Sequence, residues 1–119
     1  MSYPFEHGDE TLWDAGYRSG RLYHALAEGA AGVLDVPSGL THTPQGSCAV
    51  DREVFRVFTG RLYDLYASTR NEMLRELGHS VLVTSLVLLD RVGGQVAVSP
   101  RDAAALDEAK AAYARSMAR

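Results

Sequence analysis

The feature that most constrains the fold is an apolar segment in the second half of the chain. Thr69 and Glu72 have the spacing of a helix capping box, and helical periodicity then continues to a stop at Gly93-Gly94. Between Val81 and Leu89 this helix is apolar on nearly every face. Such a helix is stable in water only when other elements surround it. The sequence therefore predicts a central helix around which the rest of the chain packs.

Three further segments carry the start signals or apolar stripes of amphipathic helices. Apolar residues recur at helical spacing from Gly16 to Leu34, where interior glycines are expected to allow close packing against a neighbouring helix and, as the less favoured alternative, a binding groove. Asp51 is a favourable N-cap for a helix from about Arg52 to Ala67. Ser99-Pro100 supplies the N-cap and the first position of a last helix that ends near Ala118.

Strand signals are confined to short segments. The residues from Tyr3 to Trp13 flank a turn-forming stretch, His7-Gly8-Asp9, and predict a short N-terminal β-hairpin. The alternation from Gln95 to Val98 predicts one further short strand. The segment from Asp35 to Val50 contains two turn signatures and is predicted to be an irregular connection.

These elements together predict a mostly α fold of about four helices packed around a buried third helix. The N-terminal hairpin and the further strand would be its only β structure. A chain of 119 residues and 12.9 kDa has the size of one folding unit. Residues 1–119 are therefore predicted to form a single helical domain.

Composition excludes several classes of partner. The net charge is -3 and no basic run occurs, so the clustered positive charge that nucleic-acid binding requires is absent. The longest uncharged apolar stretch, Leu77 to Leu89, is shorter than the ~18 to 20 residues of a membrane span, and no basic segment indicates a signal peptide. The single cysteine excludes an internal disulfide framework. We expect a cytoplasmic protein with neither nucleic acid nor membrane as its partner.

One segment has the spacing of metal ligands. Glu76 and His79 form a Glu-x-x-His pair, which places a carboxylate and an imidazole on one helical face. A di-iron bundle needs this motif twice, and no second copy exists, although His24 and Glu28 could add ligands from the first helix. The interpretation we favour is a histidine at the edge of the core with Glu76 in solvent. No metal and no other cofactor is therefore expected.

A cysteine nucleophile is the second chemical hypothesis. Cys48 lies shortly before the helix that begins after Asp51, and His42 is within sequence reach. The surrounding residues match no cysteine-enzyme signature, and neither a nucleophile elbow nor a phosphate-binding glycine loop is present. The sequence thus favours an inert, buried Cys48 and provides no catalytic residue.

Aromatic side chains on the predicted helices could converge on a pocket, or they could border the core or an interface. The sequence does not separate these alternatives. Trp13 is expected to pack onto the helices and close the core. The candidate binding residues are Trp13, Tyr17, Tyr23, Tyr63, Tyr66 and His79.

Several segments together carry a family resemblance: Phe5 with Gly8-Asp9, Thr11-Leu12-Trp13-Asp14, Gly20-Arg21-Leu22, Val36-Pro37-Ser38-Gly39-Leu40 and Cys48-Ala49-Val50-Asp51. With these segments the chain resembles an uncharacterised family of short actinobacterial proteins, a domain of unknown function. The resemblance covers most of the chain up to Gly93. It implies an actinobacterial, cytoplasmic origin and supplies no activity, cofactor or catalytic residue.

The absence of catalytic signatures favours a non-enzymatic accessory protein that binds a protein partner, of the antitoxin, immunity or regulatory type. Self-association into a homo-oligomer is also expected. The alternative is a small-molecule-binding protein or small enzyme of secondary metabolism, with a pocket between the N-terminal segment and the helices. A filled core with an exposed apolar patch would favour the first function, whereas a pocket lined by convergent polar groups would favour the second.

Overall fold

A computed structural model describes all 119 residues of the chain and contains four helices and a four-stranded sheet. The elements, in chain order, are β1 (Ser2–His7), β2 (Glu10–Gly16), α1 (Tyr17–Leu34), β3 (Leu40–His42), β4 (Cys48–Val50), α2 (Arg52–Ser68), α3 (Glu72–Arg91) and α4 (Pro100–Arg115). None of the helices has the length and apolar character that crossing a bilayer requires.

The sheet is mixed, with the strand order β2-β1-β4-β3. Strand β1 pairs antiparallel with β2 and parallel with β4, while β3 pairs antiparallel with β4. Gly8 turns the β1–β2 hairpin with a φ of 59°, a conformation that costs glycine little. The predicted N-terminal hairpin is therefore present, and it forms half of a larger sheet.

The prediction of a mostly α fold is wrong, because the chain is an α/β protein with 60% of its residues in helices and 16% in strands. Strands β3 and β4 lie inside the segment from Asp35 to Val50 that was predicted to be an irregular connection. Each has three residues, too few to show an alternating pattern. Their stability comes from pairing with each other and with β1, which is a tertiary effect.

The predicted strand from Gln95 to Val98 is also wrong. These residues form no ladder, and Val96 and Val98 pack as partly buried side chains against the core. An alternating pattern arises here because every second side chain faces the protein, which an extended segment achieves without a strand partner.

The central position of α3 is confirmed, since Val81 to Leu89 is buried except for the half-buried Thr84. The helix starts later than predicted. Asn71 is its N-cap and accepts a hydrogen bond from the Leu74 amide at 3.0 Å. Thr69 instead ends α2, so the capping box that was predicted from Thr69 does not form.

Trp13 and its neighbours on the sheet close the core over α1. Its ring stacks on Phe5 with a centroid distance of 5.1 Å and meets Tyr23 edge-on. Trp13 is 8% exposed and Phe5 is fully buried. This confirms that Trp13 packs onto the helices.

Candidate functional site

A groove with apolar walls lies between α1, α2 and α3. It encloses about 330 Å³, and none of its 13 lining residues carries a charge. We call it the apolar groove, and it is lined by Ala25, Leu26, Gly29, Ala30, Val33, Leu34, Leu62, Leu65, Tyr66, Leu74, Leu77, Gly78 and Val81.

Large apolar side chains are exposed in and beside this groove. The exposed fractions are 61% for Leu22, 48% for Leu26 and 77% for Val33 on α1, and 63% for Met73 and 71% for Leu77 on α3. Scattered apolar residues are ordinary on protein surfaces, but a clustered set is typical of an interaction site.

The glycines of α1 were predicted to allow close packing, but not all of them do. Gly20 does allow it, because a Cβ there would lie 2.9 Å from the Tyr3 ring, but the neighbour is strand β1 and not the predicted helix. At Gly29, Gly32 and Gly78, by contrast, an added Cβ would meet no atom within 4 Å. The small residues of the apolar groove therefore border open space, which leaves its walls accessible.

Two of the predicted binding residues lie at this groove. Tyr66 forms part of the wall, with the Arg75 guanidinium 4.2 Å from its ring centroid. The His79 Nδ1 atom is 3.5 Å from the Tyr66 hydroxyl, and the side chain of His79 is half-buried. Glu76 is exposed. No three His, Cys, Asp or Glu side chains of the chain are close enough together to hold one metal ion.

The other predicted binding residues do not line this groove, and of these only Trp13 and Tyr23 meet, within the core. Trp13 is in the core, and buried Tyr23 shares a 2.6 Å hydrogen bond with the Ser85 hydroxyl. Tyr63 donates to Asp102 at 2.8 Å and so holds the first turn of α4. Tyr17 is 40% exposed.

A second group of side chains meets at the edge of the sheet, and sequence reasoning named its members only separately, His24 and Glu28 as possible metal ligands and His42 as a possible base. The Tyr3 hydroxyl lies 2.9 Å from Nδ1 of His24 and 3.1 Å from Nδ1 of His42. The Nε2 atom of His24 is 3.5 Å from Oε1 of Glu28, and that oxygen accepts a hydrogen bond from Ser38. We call Tyr3, His24, Glu28 and His42 the Tyr3 cluster. An open cavity of about 300 Å³ adjoins it, lined by Tyr3, Arg21, His24, Ala25, Glu28 and His42.

Cys48 lies beneath this cluster, with its sulfur 4.0 Å from Nδ1 of His24. It is fully buried on β4, away from the start of α2. Burial raises the pKa of the Cys48 thiol to about 12. The thiolate needed for nucleophilic attack is thus disfavoured at neutral pH, in agreement with the interpretation of Cys48 as a core residue.

The chain is thus a small α/β protein with an apolar groove and a polar cavity on its surface. Over residues 1–119 the chain matches the Family of unknown function (DUF6086), and it belongs to that family. No curated protein and no solved structure matches it. The resemblance to an uncharacterised family is confirmed, and membership assigns no activity.

Proposed function

We propose that this protein is a non-enzymatic accessory protein whose apolar groove binds an amphipathic helix of a partner protein. The observation that carries the proposal is the set of exposed apolar side chains around an uncharged groove. Burying such side chains contributes about 25 cal/mol per Å² of apolar surface removed from water. A partner that covers these side chains therefore gains binding free energy from their burial.

The walls of the groove favour a helical occupant over an extended one. A helix satisfies its backbone hydrogen bonds internally, whereas an extended segment would bring unpaired N–H and C=O groups against apolar side chains. Within the lining, Tyr66 is the only residue whose side chain has a hydrogen-bonding group. Helix-in-groove recognition, with apolar anchors at helical spacing, fits this surface.

Leu26 and Val33 on one wall and Leu77 on the other give the partner helix its contacts. The open space at Gly29 and Gly78 allows large partner side chains to reach the walls of the groove. The proposal includes the predicted biological setting, a cytoplasmic antitoxin, immunity or regulatory protein of actinobacterial origin. A second copy of this chain is the competing occupant.

Photo-crosslinking tests the proposal directly. A benzophenone amino acid replaces Leu77 in the full chain, expressed in the organism of origin, and mass spectrometry maps the adducts. Val57 is the matched control position, because it is also apolar and 42% exposed but does not line the groove. We expect position 77 alone to label one protein, at an apolar residue of an amphipathic helix.

A charge placed in the groove supplies the second control. Leu26→Glu should abolish the adduct from position 77, since a buried unpaired charge opposes binding. An adduct between two copies of this chain would show that a second copy, and not a partner helix, occupies the groove. Equal labelling from position 57, or no adduct from position 77, would show that the apolar groove is not a docking surface.

A further inference from the structure

The contacts of the Tyr3 cluster favour one arrangement of its protons. The carboxylate of Glu28 favours a proton on the nearer His24 nitrogen, Nε2, 3.5 Å away. His24 Nδ1 then accepts the hydrogen bond from the Tyr3 hydroxyl. A hydroxyl has one proton, so the Tyr3 oxygen must accept from Nδ1–H of His42. This arrangement leaves Nε2 of His42 as an acceptor.

Tyr3 is held rigidly in this chain of hydrogen bonds. Its ring packs against Gly20 and stacks on His42 with an interplanar angle of 13°. Burial, the largest cause, raises the pKa of Tyr3, so the hydroxyl keeps its proton. The exposed His42 is therefore oriented by a buried neighbour, which is the preorganisation that a binding site requires.

A cation lies at the same cavity. Arg21 is exposed, and its Nη1 atom donates to the Tyr17 hydroxyl at 2.5 Å, which steadies the side chain and leaves further N–H donors free. Glu28 also lines the cavity and carries a negative charge, although Ser38 and His24 contact its Oε1 atom, so a bound anion must lie on the Arg21 side. The cavity thus offers an anion-binding donor at Arg21 and an acceptor at His42.

We propose that this cavity binds a small organic oxyanion, a carboxylate or a phosphate ester, that carries a neighbouring hydroxyl group. Arg21 pairs with the anionic group, and Nε2 of His42 accepts the hydrogen bond of the hydroxyl. Guanidinium and oxyanion form the strong, charge-assisted type of hydrogen bond. The site lies between the N-terminal strand and α1, shares only Ala25 with the lining of the apolar groove and stands independently of the partner helix.

Titration of the full chain, followed by the imidazole C–H signals in proton–carbon NMR, tests this site. The probes are glycolate, which has a carboxylate and a hydroxyl, glycerol phosphate, and acetate, which lacks the hydroxyl. We expect one or both of the first two to shift His24 and His42 saturably while His7 and His79 stay unmoved. The probe that binds identifies the anionic group. Acetate should bind at least about tenfold more weakly than glycolate, the ratio that 1.4 kcal/mol produces.

Two variants at exposed positions separate the two contacts without disturbing the core. Arg21→Gln should weaken binding of the active probe by about tenfold or more. His42→Phe keeps a ring beside Tyr3 but removes Nε2, and should abolish the preference for glycolate over acetate. Absence of any saturable shift, equal shifts at all four histidines, or unchanged affinity in Arg21→Gln would overturn the proposal.

Discussion

Both halves of α3 carry large apolar side chains, but those side chains differ in exposure from one half to the other. Met73 and Leu77 in the first half are 63% and 71% exposed, whereas Leu82 and Leu88 in the second half are fully buried. The apolar character of a helix therefore predicts that other elements must cover it, but not whether those elements belong to the same chain. Within the free chain they cover only the second half.

Hydrogen bonds hold the segments that cover the second half of α3, which are strand β2 and the C-terminal residues. Arg91, at the end of α3, donates to the Leu12 carbonyl at 2.8 Å and to the Met117 carbonyl at 2.5 Å. The Asp14 amide donates to the Ala118 carbonyl at 2.8 Å. Strand β2 and the C-terminal residues are thereby fixed beside this end of the helix. Around the first half, the open groove takes the place of such a cover.

Replacing Trp13 should have the largest effect on stability, because this residue lies on the sheet that closes the core. Trp13→Ala should lower the free energy of unfolding by about 3 to 5 kcal/mol, because its ring packs against Phe5 and Tyr23. Urea unfolding followed by circular dichroism measures the loss. If stability stayed intact while sedimentation showed weaker association, Trp13 would be an interface residue and the closed-core interpretation would fail.

A smaller loss is expected within α3 itself. Leu88→Ala should cost about 2 to 4 kcal/mol, since the side chain is fully buried and its removal leaves a cavity. Val81→Ala should cost no more free energy of unfolding than Leu88→Ala, because its side chain is smaller and borders the groove. An unchanged denaturation midpoint in both variants would remove the assignment of α3 as the central element.

A gain in stability is expected at Thr59 on α2. Its hydroxyl is fully buried without a hydrogen-bond partner, which is unfavourable in an apolar core. Thr59→Val keeps the shape and should raise the free energy of unfolding by about 1 kcal/mol. Thermal unfolding of the two proteins in parallel checks the sign. A lower stability of the valine variant would show that the Thr59 hydroxyl forms a hydrogen bond, for example to a buried water molecule.

Sequence patterns predicted the helices well, and for identifiable reasons. Asp51 caps α2 as expected, with its carboxylate accepting from the Val54 amide at 3.1 Å. Ser99-Pro100 starts α4, although the helix ends at Arg115, before the predicted Ala118. Local signals of this kind sit within one turn of the element that they define. The missed strands β3 and β4 have no such signal, because each has only three residues and the second partner of β4, strand β1, is distant in the chain.

The Tyr3 cluster shows the same limit for site residues. His24 and Glu28 are four positions apart on α1, and their spacing was visible as a ligand pattern. Tyr3 and His42 are separated by 39 positions and meet only because β4 inserts between β1 and β3. Because the mixed sheet was not predicted, the proximity of these two residues could not be predicted either. A groove at the glycines of α1 was ranked below close helix packing, since the apolar stripe of α1 was assumed to face the core.

The smallest expected effect gives the most direct test of the comparison between the halves of α3. Leu77→Ala changes the same residue type on the same helix as Leu88→Ala, but at a side chain that is 71% exposed. The free monomer should therefore lose no more than about 0.5 kcal/mol, as is usual for surface positions. Urea unfolding of both variants under identical conditions measures the contrast. A loss at Leu77 as large as that at Leu88 would mean that the first half is covered in solution. Because a self-associated chain unfolds at a midpoint that rises with protein concentration, repeating the measurement over a concentration series identifies a second copy as the cover. A concentration-independent midpoint with a small loss leaves the groove open in the free chain, ready for the partner helix.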